Sequence, residues 1–290
     1  MKRVIKRTSS GYKGYIQEQE HRGCISKVDR KELGRVNLSY RIYYVFLRNL
    51  TSYKRFVVPT LIVSLGQPLF YLITFGIGMG AYMGYFGGKP YLYFLVPGVL
   101  VSSVMLSASF ECLYGTFVKI VHEHLYDSLI ATPVSAEDAV AGDIVWGAFR
   151  GLISGILMLI VAGFMRIFPA SVGNVLVLLV LMGFIGVMFS SLAMIVTSMA
   201  PHFDFFNYYT ELFLTPMLFF SGVFFPLDHF PPWMKIFAQF LPLTHAVVVS
   251  RAAFTGQVSM HLLPNFLYLL LLEIVAFCAG VKMMKRRVVK

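Results

Sequence analysis

Charge is what this chain has least of. Asp, Glu, Lys and Arg together make up 13% of its 290 residues, about half the share of an ordinary soluble domain. So few charges exclude a disordered chain and a typical water-soluble enzyme. Cysteine is nearly absent as well. Cys24 lies in a basic stretch, and Cys112 and Cys278 lie inside apolar runs. Three cysteines scattered in this way exclude a disulfide framework and offer no metal-ligand spacing. His122 and His124 flank Glu123, which is not the spacing that puts two histidines on one helical face for zinc, so no metal site is expected. No GxxxxGK[ST] run exists; the one Gly-Lys pair, Gly88-Lys89, is followed by Pro90. The chain therefore has no loop to cradle nucleotide phosphates. No Ser, His and Asp set is arranged for catalysis, so no catalytic residue is named. No cleavable leader is expected, because the first long apolar run begins only near Phe56.

What the chain has is hydrophobic length. Apolar residues make up 57%, and they come in blocks of about twenty, the length that crosses a hydrocarbon core. The net charge of +11 sits at the two ends. Residues 1–55 hold fourteen Lys and Arg against four Asp and Glu, and 282–290 hold five and none. Positive charge flanking apolar spans places both termini in the cytoplasm and favours contact with membrane lipids. It is not read as a nucleic-acid surface.

The fold expected is an all-α integral membrane protein with six transmembrane helices. The spans fall at about 56–78, 94–118, 144–165, 174–199, 204–225 and 262–283. Residues 1–36 read as a basic cytoplasmic tail and 286–290 as a second one. Residues 37–55 read as an interfacial amphipathic helix, with Arg41, Arg48 and Arg55 recurring every seven residues opposite an apolar face. In the third span Gly147, Gly151 and Gly155 follow a four-residue interval that lets two helices approach closely.

Ionisable residues at membrane depth are costly and so are functional candidates. Glu111, Asp143, Arg150, Glu211 and Glu273 lie in or at the edges of the spans. Asp143 and Arg150 stand near a span end, where long side chains reach the interface. Glu211 lies five residues before Pro216, next to the most unusual stretch of the chain. Residues 215–251 contain Pro216, Pro226, Pro231, Pro232 and Pro242. They are too broken to form one span and too apolar for an ordinary loop. The piece from Pro232 to Pro242 allows a helix of about ten residues, roughly 15 Å long, against a core of about 30 Å. Short re-entrant or outer helices are therefore expected between spans five and six. Irregular backbone at that depth suggests a gate or a pathway mouth.

The inner loop 119–142 offers a short amphipathic helix ending at Thr132-Pro133, with Ile120, Leu125, Leu129 and Ile130 available for packing. Ser135 is placed to cap the next helix, with Asp138 three residues on. The first helix can dock on a soluble partner or simply connect two spans.

Three motifs, in order along 56–285, resemble the permease subunits of the ABC-2 type exporter family. They are LVPGVL (95–100), YDSLIATPVSAEDAVAGDI (126–144) and the stretch 215–251. They are most like the nodulation-type lipo-oligosaccharide exporters and their polysaccharide- and drug-exporting relatives. The resemblance implies a transport subunit that is not itself an enzyme, in the bacterial inner membrane. It implies a second permease subunit, read as a homodimer, and two copies of a soluble ABC ATPase that carries the ATP and Mg; no cofactor is expected on this chain. By the same resemblance Tyr126, Leu129, Ile130, Thr132 and Pro133 transmit ATPase motion. Ser221, Gly222, Pro226, Pro231, Pro232, Trp233, Leu241, Pro242, His245 and Arg251 form the outer gate. The cargo expected is a lipid-linked or amphiphilic glycan. The alternatives are a drug or antibiotic exporter of the same family and a proton-coupled secondary transporter working through Glu111, Glu211 and Glu273.

Overall fold

Long apolar runs satisfy their own backbone polarity only as helices, and the computed structural model consists almost wholly of them. It describes residues 39–54, 57–86, 88–121, 123, 125–130, 134–257 and 259–288. The tail 1–36, Arg55, His122, His124, Thr132 and Pro133 lie outside these.

The first elements are α1 (Ile42–Tyr53) and α2 (Val57–Met83). A two-residue hairpin follows, β1 (Tyr85–Phe86) with β2 (Lys89–Pro90). Gly84 and Gly88 take positive φ on either side of β1, as tight turns require. The hairpin is a small departure from the all-α expectation. Next come α3 (Tyr91–Phe110), a π-helical turn at Glu111–Gly115, and α4 (Thr116–Val121), which continue one another as a single run. The short α5 (Leu125–Ile130) leads to α6 (Ala136–Phe164) and α7 (Val172–Met199). Then α8 (Phe205–Tyr209), a π turn at Thr210–Leu214 and α9 (Thr215–Phe220) form a second continuous run. The chain ends with α10 (Pro232–Phe240), α11 (Pro242–Thr255) and α12 (Leu263–Val288).

Local chemistry explains many of the boundaries. The Ser135 hydroxyl accepts from the Asp138 amide, 3.0 Å, and caps α6. Ser171 caps α7 in the same way. Pro232 and Pro242 each stand in the first turn of a helix, where a missing amide proton costs nothing. Gly256 ends α11 with φ of 77°.

The run α3–α4 is the central element. Of its apolar stretch 83% is buried, against 11% for α12. It packs on α2, α6, α7 and α11, and α12 lies against α7. The glycine series of α6 makes the closest approach. A methyl group at Gly147 would lie 2.5 Å from Ser190 Oγ, and one at Gly151 3.0 Å from the Val104 carbonyl oxygen. At Gly155 it would meet Met182 Sδ at 2.7 Å. The helices that these glycines admit are therefore α3 and α7 of the same chain.

Among the described residues, four helical runs are long and apolar enough to cross a membrane: 91–121, 136–164, 172–199 and 260–288. The pair α10–α11, bent by 88°, makes a fifth if counted as one broken span. The first expected span, 56–78, falls on α2, a helix of 27 residues with Pro68 inside it. The fifth, 204–225, departs most from expectation. Its helical run passes through the π turn and stops at Phe220, giving sixteen residues or roughly 24 Å. The third begins eight residues before its expected start, which brings Asp143 inside a helix.

Candidate functional site

Among the described residues, two sets of charge-centred contacts lie at the ends of the α3–α4 run. At its C-terminal end Asp143, 2% exposed, acts as a hub. Its Oδ1 accepts from Asn49 Nδ2 at 2.7 Å and from Lys119 Nζ at 2.9 Å. Its Oδ2 accepts from the Tyr126 hydroxyl at 2.8 Å. One carboxylate on α6 thus holds α1, α4 and α5 together. A buried charge is tolerable only when it is paired and its remaining lone pairs are used, and here both conditions are met. Tyr126 is buried too. Burial first, and then the adjacent Asp143 carboxylate, push its phenol well above the usual range, so it remains a neutral donor.

One turn along α6, a second carboxylate does similar work. Glu111 opens the π turn, which carries an extra residue and re-aims the side chains around it. It accepts from Trp146 Nε1 and Arg150 Nη1, each at 2.8 Å. The Arg150 guanidinium lies 5.0 Å from the centre of the Tyr53 ring. Phe46 and Tyr53 of α1 meet Trp146 edge to face. Further along the same end of the bundle, Lys285 of α12 pairs with Glu137 at the start of α6, 2.7 Å. Arg287 donates to the Thr197 carbonyl of α7.

The other end of α3 carries an arginine clamp. Arg251 of α11 donates from Nη2 to the carbonyls of Gly222 (2.6 Å) and Val223 (3.2 Å), and from Nε to that of Phe94 (3.2 Å). Its guanidinium lies 3.6 Å from the centre of the Phe94 ring. The Tyr91 hydroxyl donates to the Phe224 carbonyl at 2.6 Å. Phe224 stacks on Phe75 of α2 at 4.2 Å. The turn after α9, reversed by Gly222 at φ 75°, is thereby fastened to α2, α3 and α11.

The expected outer residues divide into those that meet this clamp and those that do not. Ser221 and Gly222 lie in the clamped turn, and the Ser221 hydroxyl is buried without a partner. Pro226 precedes the 3-10 turn Leu227–His229, and Pro231 caps α10. Pro216 sits in the first turn of α9. Leu241 is the buried corner between α10 and α11. Trp233 is 65% exposed on the apolar face of α10. His245 stands apart from the clamp: Nδ1 lies 2.6 Å from Asn265 Oδ1, Nε2 lies 2.8 Å from the Gln239 carbonyl, and the ring packs on Tyr268. Glu211 is exposed in the second π turn.

At the hub end, Tyr126 is buried, Leu129 is half-buried and Ile130 ends α5. The arginine stripe is not uniform. Arg41 precedes the first turn of α1, and Arg48 is half-buried and donates to Asn49 Oδ1 at 3.0 Å. Its helix begins at Ile42 and is docked on α6 through Val45, which lies against Gly142. That face of α1 meets protein. Sequence reasoning read Asp143 and Arg150 as interface-reaching side chains and passed over Asn49 and Lys119. The available signal was a buried acid that must find donors, and these were the polar residues nearest the same end of their helices. Among the described residues, no group of three His, Cys, Asp or Glu side chains is placed to hold a metal ion.

Comparison with known proteins agrees with this architecture. The model of the ABC-2 type transporter family matches residues 40–255. Nodulation protein J of Sinorhizobium fredii (strain NBRC 101917 / NGR234) is 34% identical over 247 residues, covering 84% of this chain and 92% of that protein. Nodulation protein J of Rhizobium leguminosarum bv. trifolii is 30% identical over 251 residues, covering 85% and 93%. The inner membrane transport permease YadH of Escherichia coli (strain K12) is 27% identical over 241 residues, covering 81% and 93%. With its apolar helices, glycine-packed core and ordered motifs, the chain belongs to the ABC-2 type transporter family.

Proposed function

We propose that this chain is the permease subunit of an ATP-driven exporter that moves a lipid-linked or amphiphilic glycan across a bacterial inner membrane. Family membership and the likeness to nodulation proteins support the transport role and the choice of cargo. In this reading two copies of the chain enclose the path, and two soluble ATPase subunits, which carry the ATP and Mg, sit below it. The polypeptide crosses the membrane six times, counting α2 and the α8–α9 run, and both termini are cytoplasmic.

The Asp143 hub is the observation that carries the mechanism. The loop helix α5 has only six residues and could not transmit force alone. Through Tyr126 and Asp143 it is fastened to α6, and through the same carboxylate to α1 and α4. A push on α5 from the ATPase then moves these helices as one body. At the far end, the Arg251 clamp ties the turn at 221–225 to α3, so motion of the long helices reaches the outer segment. Pro226, Pro231, Pro232, Trp233 and Pro242 shape the short helices that part there. The exposed apolar faces of α2, α10 and α12 are available to lipid, to the second subunit and to an amphiphilic cargo.

The test is reconstitution of the chain with its copurified ATPase in sealed vesicles. Transport of a lipid-linked oligosaccharide is expected with ATP and no ion gradient. Tyr126→Phe is expected to lower transport more than ATP hydrolysis. Transport driven by a proton gradient without ATP would sink this reading in favour of a secondary transporter.

A further inference from the structure

Two π turns, one in each of two neighbouring runs, stand side by side. Glu111–Gly115 in the α3–α4 run carries Tyr114, and Thr210–Leu214 in the α8–α9 run carries Glu211. The Tyr114 ring meets that of Phe206 in α8 edge to face at 5.1 Å and stacks on Phe203. The Glu211 carboxylate lies within electrostatic reach of the Tyr114 phenol. A π turn re-aims side chains and is frequent where a helix serves a function.

The surface around Glu211 is unusual for a spanning run. Asp204, Asn207, Tyr208 and Glu211 are all exposed, and intervals of three and four residues put them on one side of the helix. The exposed side of α12 differs in kind: Phe266, Leu267, Leu271, Ile274 and Val275 make a surface fit for acyl chains. An acid turned toward lipid is costly, and acids within spans face a bundle interior or a water-filled cavity. The side of α8 that bears Glu211 therefore faces water, and in the proposed assembly that water fills the path between the two copies.

No base among the described residues cancels this charge. None pairs with Asp204 or Glu211. Arg287 donates to the Thr197 carbonyl and lies over Phe117, which meets Phe206 on the buried side of α8. Tyr114 also lines a polar cavity of about 500 Å³ that carries Arg48, Lys119 and Arg150 against Glu111 and Glu123. Asp143, which Lys119 meets, evens that count. The charge left on the exposed side of α8 is acid.

We propose that Glu211 sets the charge class of the cargo. Its carboxylate accepts hydrogen bonds from the hydroxyl groups of an uncharged glycan, and together with Asp204 it repels a glycan carried on a phosphate. The assignment rests on the glycan-exporter role proposed above.

Two measurements test it, one of them independent of any cargo. In full-length protein with Cys24→Ser and Cys278→Ala, Asn207→Cys places a thiol one turn from Glu211, while Cys112 stays buried. Its rates with a cationic and an anionic methanethiosulfonate, each divided by the rate of a free thiol, should favour the cation by about fivefold, and Glu211→Gln should cut that preference by about threefold. In vesicles with the copurified ATPase and ATP, one fluorescent-tailed disaccharide is offered in two forms, joined to its tail by a glycosidic bond or by a phosphodiester. The glycosidic form should move about tenfold faster, Glu211→Gln should narrow the gap to about threefold, and Glu211→Lys should reverse it. A purely structural role would lower both rates and keep their ratio. A thiol that meets neither reagent puts this side of α8 against lipid or protein and overturns the proposal, and so does either ratio left unchanged by the variants. If neither form moves in wild type while the reagent preference holds, the glycan reading falls and the acid-lined path stands.

Discussion

The two ends of the α3–α4 run are held by opposite strategies. At one end a single buried acid, Asp143, gathers side chains from three other helices. At the other a single half-buried base, Arg251, gathers backbone carbonyls from α3 and from the turn after α9. The acid hub can be taken apart one partner at a time, because each donor is a separate side chain. The arginine clamp is lost as a unit, because all of its bonds leave from one guanidinium. In the proposed mechanism the end that transmits motion benefits from graded contacts, and the end that opens benefits from a shared release.

The sharpest way to break this comparison is to remove the hub itself. Asp143→Ala leaves Lys119 buried without its counter-charge and leaves Asn49 and Tyr126 without an acceptor. A loss of about 3–5 kcal/mol is expected, measured by thermal unfolding in detergent, with little stable protein recovered. At the clamp, Arg251→Gln should cost about 2–3 kcal/mol, since hydrogen bonds from a charged group are worth more than neutral ones. The loss should appear as faster proteolysis between residues 221 and 230, with the hub end still protected. Arg251→Lys should not restore the clamp, because an ammonium lacks the planar fork that spans three carbonyls. Equal protection in wild type and Arg251→Lys would argue against the fork.

Smaller changes sharpen the contrast. Gly151→Val, between the two ends, pushes a branched side chain into the Val104 backbone. It should destabilise by about 1–3 kcal/mol, read from the same melting curves, and should affect both ends together. Tyr126→Phe removes one donor from the hub and should cost only about 1 kcal/mol; ATPase stimulation by cargo should fall while folding is kept. Tyr126 gives the smallest effect of all when pH is raised. Its phenol is held well above the usual range by burial and by the adjacent Asp143 carboxylate, so ultraviolet titration should show it un-ionised at a pH where a free phenol has lost its proton, and Tyr126→Phe should leave that part of the curve unchanged.

Much of the architecture was readable from local pattern. Apolar runs marked α3, α6, α7 and α12, and Ser135 marked the start of α6. The prolines at 232 and 242 marked one short helix, α10. The end of the fifth run was not legible in the sequence, because hydropathy runs on through 204–225 while the helix stops at Phe220. The reversal at Gly222 follows the end of the helical run, the π turn at Thr210–Leu214 lies within it, and neither has a distinctive sequence. Asp143 was visible as an unusual residue but was taken for a side chain reaching the interface. Three neighbours that change that reading, Asn49, Lys119 and Tyr126, lie 94, 24 and 17 residues away.

By itself the sequence determined that this is a helical membrane protein with charged ends and a broken stretch before its last helix. Those properties depend on run length, on caps and on proline, and each acts over a few residues. Only the tertiary structure decided which polar groups meet. Arg251 finds its acceptor on Phe94 across 157 residues. Every residue carries a carbonyl, so nothing in the sequence distinguishes the three that receive this arginine; the packing of α11 on α3 selects them.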